Sequence, residues 1–128
     1  MEDGKWKMAN GKITSFESLE VWKESQNLAV DVYKMTKTFP KDEMFAMTSQ
    51  LRRAAYSVSA NIAEGFGRKS KSDKLHFYTM AYGSLLEVKT FLYLSQKLDY
   101  IPEKVMGNII DDVTTCQKLL NAFKAGLR

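Results

Sequence analysis

The sequence predicts an all-α fold: an up-down-up-down antiparallel four-helix bundle that is oligomeric. Three observations predict it. Apolar residues recur three and four apart in four segments of similar length, about 16–38, 41–65, 72–98 and 103–125. Only three breaks interrupt them, around Pro40, around Gly65–Ser72 and around Tyr100–Pro102. No alternating apolar–polar run of useful length suggests a strand. Short connections make sequential helices antiparallel. Residues 1–14 read as a flexible tail and residues 15–128 as one domain of ordinary size.

In the first segment Leu19, Trp22, Ala29 and Tyr33 form a helical seam, and Ser18 is placed to cap it. In the second, Met44, Met47, Leu51, Ala54, Val58 and Ile62 continue the spacing, with Gly65 as a C-terminal stop because glycine adopts the left-handed conformation cheaply. In the third, Tyr78, Ala81, Leu85, Val88 and Leu92 carry the seam, and Ser70 or Ser72 caps it. In the fourth, Val105, Ile109, Val113, Cys116, Leu120 and Phe123 do so, and Pro102 suits the first turn, where its missing N–H is not needed.

Composition narrows the function. The 128 residues are 45% hydrophobic and 27% charged, an ordinary globular balance. No run approaches the ~18 apolar residues of a membrane span, and the first dozen residues lack the apolar core of a signal peptide. One cysteine rules out an intrachain disulfide framework, so a cytoplasmic protein is expected. One histidine leaves little material for a metal site, and no cofactor motif is present. Gly65-Phe66-Gly67-Arg68-Lys69-Ser70 lacks the spacing of a phosphate loop and follows a helix, not a strand. His76 and Cys116 read as structural residues, so the protein is not expected to be an enzyme.

Net charge is +4, and nearly all the excess lies between Arg68 and Lys74. Arg68, Lys69, Lys71 and Lys74 are therefore candidate phosphate contacts, with Arg52 a further one. Lys5, Trp6, Lys7 and Lys12 make a small basic-aromatic tail. A polar stripe of Gln50, Arg53, Ser57, Asn61 and Glu64 runs along the second helix, and Ser84 and Glu87 face it from the third. An Arg53–Glu87 pair is expected to fix the register of the two helices.

Two helices carry more apolar surface than a single seam needs. The first adds Val21, Leu28, Val32, Met35 and Phe39, and the third adds Phe77, Met80, Phe91, Leu94 and Leu98. A helix apolar over more than about a third of its circumference must bury the rest, so Val21, Leu28, Val32, Met35, Phe39, Phe77, Phe91 and Leu94 are expected at a subunit interface.

Several ordered motifs carry a resemblance: Phe16-Glu17-Ser18-Leu19-Glu20-Val21-Trp22, Phe39-Pro40, Gln50-Leu51-Arg52-Arg53-Ala54-Ala55 with Ser57, Asn61-Ile62-Ala63-Glu64-Gly65, Ala81-Tyr82-Gly83-Ser84-Leu85-Leu86-Glu87 and Leu98-Asp99-Tyr100-Ile101. Over roughly residues 15–125 the chain resembles the four-helix-bundle proteins encoded in intervening sequences of bacterial 23S rRNA genes. That family is similar to the accessory variability protein of diversity-generating retroelements, a basic homopentamer that binds nucleic acid and a reverse transcriptase. The resemblance implies a four-helix bundle without enzymatic activity and a homopentamer. The expected function is a homo-oligomeric accessory protein that binds nucleic acid, RNA first, without reading bases. The alternative is a protein–protein adaptor, such as an accessory subunit of a retroelement reverse transcriptase.

Overall fold

The computed structural model describes residues 8–9, 12–13 and 15–127. Four α-helices make up most of it: α1 (Glu20–Thr36), α2 (Ser49–Phe66), α3 (Lys71–Lys97) and α4 (Glu103–Ala125). Ahead of them Met8–Ala9 pairs antiparallel with Lys12–Ile13. Lys5, Trp6 and Lys7 lie outside the described residues, as does the Lys12 side chain. Among the described residues no helix is long and apolar enough to cross a membrane.

The helices begin and end by identifiable chemistry. A 3-10 turn, Phe16–Ser18, precedes α1. Ser18 lies inside that turn and donates to the Ser15 carbonyl at 2.9 Å; Leu19, without a side-chain cap, opens α1, so Ser18 is not the cap. Ser70 does cap α3, its hydroxyl accepting from the Asp73 N–H at 3.0 Å. Pro102 sits one position before α4, where no N–H is required. The second segment is not one helix. A 3-10 turn (Lys41–Glu43) and a π-helical turn (Met44–Thr48) lead into α2, and the Glu43 carboxylate accepts from the Met47 N–H at 3.2 Å.

The expected role of Gly65 is also corrected. α2 runs through it to Phe66, and Gly67 ends the helix with ordinary right-handed backbone. Gly65 is buried against α3, and a Cβ there would come within 2.6 Å of Tyr78 Cε1 and 3.0 Å of Phe77 Cβ. Glycine is required for close approach, not for a left-handed turn. Among the described residues the one non-glycine with left-handed backbone is Asp99, with φ 62°, in the turn between α3 and α4.

The core takes apolar side chains from all four helices, among them Leu28, Val32, Leu51, Val58, Ile62, Leu85, Leu92, Val113 and Leu120. Each such side chain contributes about 1.5–3 kcal/mol on burial. The core face of α1 is not the one expected. Val21, Leu28, Val32 and Phe39, assigned to a subunit interface, are buried in the chain's own core. Met35 and Phe91 are half-buried against it, Phe77 is half-buried, and Leu94 is exposed. Tyr33 and Met44, expected in the core, are exposed. The apolar spacing misled because Ser25 and Thr36 complete the buried face of α1. Their hydroxyls donate to the Trp22 and Val32 carbonyls at 2.8 Å each, which makes their burial inexpensive.

Contacts between sequential helices fall in reverse order along the chain. Gln26 donates to Ser59 at 2.8 Å while Arg52 donates to Thr36 at 2.8 Å. Ser57 donates to Ser84 at 2.6 Å while Lys74 donates to the Phe66 carbonyl at 2.7 Å. Tyr78 meets Phe123 edge-to-face at 5.0 Å while Lys89 meets Gln117 at 3.4 Å.

Candidate nucleic-acid interface

The connection from α2 to α3 presents the basic residues. α2 ends at Phe66, and four residues later the Ser70 cap starts α3. The turn is short, so the four cations are held close together, but they are not equivalent. Arg68 pairs with Glu64 one helical turn back at 2.8 Å and lies over the Phe77 ring at 4.6 Å. Lys74 donates to the Phe66 carbonyl at 2.7 Å, an acceptor left open at the end of α2, and to the Gly65 carbonyl at 3.4 Å, which also accepts from the Arg68 N–H. It also lies 5.3 Å from the Phe66 ring centre. Lys69 and Lys71 are exposed and have no hydrogen-bond or ion-pair partner among the described residues. Lys71 is the first residue of α3, at the positive end of a 27-residue helix dipole. A cation there is unfavourable by about 0.3–1 kcal/mol unless an anion offsets it.

Arg52 does not join this cluster. It sits near the start of α2, 16 residues from Arg68, or about 24 Å along a helix. Its Nε donates to Thr36 Oγ1 at 2.8 Å, an Nη donates to the Tyr33 carbonyl at 3.4 Å, and the guanidinium lies 4.6 Å from the Tyr33 ring centre. It therefore ties the end of α1 to α2.

The polar stripe is only partly a network. Ser57 and Ser84 bridge α2 and α3, and Asn61 donates to the Ser57 carbonyl at 2.9 Å. Arg53 and Glu87 are both exposed and do not pair; Arg53 donates to Gln50 instead. Both are open to water, which removes the drive to pair. Glu64 is taken by Arg68.

The remaining chemistry-bearing residues fit packing roles. Cys116 is buried, and burial pushes its thiol up to about 12, with the Glu24 and Asp112 carboxylates adding to the effect. Such a thiol is protonated at neutral pH and a poor nucleophile. His76 is exposed, edge-on to Phe77 at 5.4 Å. Among the described residues no group of three His, Cys, Asp or Glu side chains could hold a metal.

Two surface features escaped the sequence reading. A groove of about 400 Å³ between α1 and α4 is lined by Asp31, Lys34, Met35, Val105, Asn108, Ile109 and Asp112. A second, of about 280 Å³, lies where α1, the π-helical turn and α2 meet, beside a Phe45 that is 94% exposed. Phe45 stands one position off the Met44–Met47 seam, and that offset was the signal available.

A protein-family description, 23S rRNA-intervening sequence protein, matches residues 17–122. The fold is similar to the crystal structure of a protein of unknown function from the S23 ribosomal protein family of Bacteroides thetaiotaomicron VPI-5482. The two are 27% identical with a TM-score of 0.73, over 81% of this chain and 97% of that one. No curated protein matches.

Proposed function

The chain belongs to the 23S rRNA-intervening sequence protein family, and from that premise we propose that it is a non-enzymatic, homo-oligomeric accessory protein that binds RNA through the α2–α3 connection. The observation that carries this reading is the pair of unpartnered, exposed cations, Lys69 and Lys71, beside the positive end of α3. Arg68 and Lys74 add charge to the same turn while serving local contacts. Lysine recognises phosphate as a point charge, so binding tolerates sequence. The reversed order of helix contacts supports an up-down-up-down bundle. A self-association surface is supported by the outer side of α3, where Met80, Leu94 and Leu98 are exposed beside half-buried Phe91. The same stripe would hold a partner protein, such as a reverse transcriptase, in the adaptor reading.

The test is fluorescence anisotropy with RNA and duplex DNA over a salt series, on protein stripped of nucleic acid. Micromolar or tighter RNA binding that weakens steeply with salt is expected. Lys69→Glu combined with Lys71→Glu should reduce affinity at least tenfold and flatten the log–log salt slope by about 0.7 per lost phosphate contact on single strands. Unchanged affinity in that variant would remove the assignment. RNA binding absent even at low salt would leave the adaptor reading.

A further inference from the structure

We propose that the groove where the end of α1, the π-helical turn and the start of α2 meet docks one unpaired base of a single-stranded nucleic acid. This rests on the RNA-binding reading but concerns a different surface, remote from the α2–α3 connection.

The groove is lined by Tyr33, Met44, Phe45, Ser49, Arg52 and Tyr56, with buried Thr48 behind them. Its volume of about 280 Å³ lies at the small end of ligand sites and fits one planar ring system better than a length of helix. Three aromatic rings meet solvent here: Phe45 is 94% exposed, Tyr56 49% and Tyr33 40%. A phenylalanine so exposed gains from any flat apolar ligand laid against it. Phe45 lies two residues before half-buried Met47 and six before buried Leu51, roughly 120° around the helix from Leu51, so its ring faces outward.

Chemistry selects a base among flat ligands. The Arg52 guanidinium is fixed by Thr36 and the Tyr33 carbonyl and stacked 4.6 Å from the Tyr33 ring centre, and its second Nη has no partner among the described residues. A fixed guanidinium–aromatic stack offers a delocalised surface and a free donor, which suits a heteroaromatic ring with acceptor edges. The frame of the groove is also cationic. Lys37 follows α1, Lys41 opens the 3-10 turn and Arg53 follows Arg52. Asp42 and Glu43 lie between them and stay negative, Glu43 accepting from Tyr100 Oη at 2.6 Å and from Met47 N–H, so the four cations Lys37, Lys41, Arg52 and Arg53 leave a net positive surround. The charge is complementary to the phosphates flanking a docked base.

The experiment compares a labelled uridylate oligonucleotide with an abasic oligonucleotide of equal length and charge, by anisotropy with the full chain. The wild-type protein should prefer the oligonucleotide with bases. Phe45→Ala with Tyr56→Ala should weaken its binding five-fold to a hundred-fold, leave the salt slope unchanged and leave the abasic affinity unchanged. Tyr56→Phe, which keeps the ring, should retain the affinity. Both side chains are exposed enough that their removal leaves the core intact. Equal affinity for the two oligonucleotides would overturn the proposal. So would a double alanine variant that binds as wild type, or one that only lowers the subunit number, which would make the groove a contact between copies. If binding falls with Lys69→Glu and Lys71→Glu but not with the alanine pair, the α2–α3 interface stands and the base site falls. If the wild type binds neither oligonucleotide at low salt, both fall.

Discussion

Asp112 lies on α4 where it faces α1 across the larger groove, and its carboxyl is held above the ordinary carboxylate range. Burial is the main cause, followed by hydrogen bonding to Asp31 and the nearby charges of Asp31, Glu24 and Asp111. Lys34 lines the same groove but forms no ion pair there. A carboxyl whose folded-state value is raised takes up its proton more readily in the folded state. Ionised Asp112 therefore costs stability above that raised value, and the cost is relieved as pH falls toward the ordinary value near 3.8. Asp112→Asn should raise the melting temperature at pH 7, and the gain should shrink as pH falls toward 4. Thermal melts of both proteins across that range check it; a pH-independent difference would mean that packing, not charge, sets the effect. Glu43 shifts the opposite way, lowered by the Tyr100 hydroxyl and then by the Met47 N–H, so its contribution is lost at low pH in both proteins and cancels in the comparison.

At the scale of elements, α2 approaches α3 closely at Gly65. A methyl group there would press on the Tyr78 ring, which is itself fixed by burial and by Phe123. Gly65→Ala must push the helices apart or turn Tyr78, and should cost about 1–3 kcal/mol in urea denaturation. Gly83 lies in the middle of α3 with open space around it, so Gly83→Ala is the control and should stabilise by about 0.5–1 kcal/mol. The four helices themselves were legible, because a three-and-four spacing sustained over 17 residues or more admits little else. The π-helical turn was not, since its signature is one residue out of phase within a run that remains apolar. Nor was the core face of α1. Ser25 and Thr36 hide their polarity in bonds to their own helix, and counting apolar residues alone rotates the face away from them.

For the whole molecule, the sequence located the basic turn but not how its charges are divided. Arg68 finds Glu64 one turn back and Lys74 finds the open Phe66 carbonyl across the connection, an arrangement that exists only once the helices are folded. The surplus apolar surface was placed on both α1 and α3, and folding consumes most of the α1 share. Of the α3 share, Met80, Leu94 and Leu98 stay exposed along one side with Phe91 half-buried against the core, while Leu86 and Tyr93 are exposed on another side. The inner face of α3 packs on α2 and α4, while Met80, Leu94 and Leu98 stay exposed on its outer side. Apolar side chains so exposed favour association, and a closed oligomer would bury them once per subunit. Leu94→Glu with Leu98→Glu should then reduce the mass found by light scattering to that of a single chain, with the helical circular dichroism unchanged, because neither side chain belongs to the core. An unchanged mass would move the self-contact to the Phe45 groove or remove it. Loss of RNA affinity alongside loss of assembly would indicate that several Lys69–Lys71 pairs act together, since linked copies of a modest patch bind far more tightly than one.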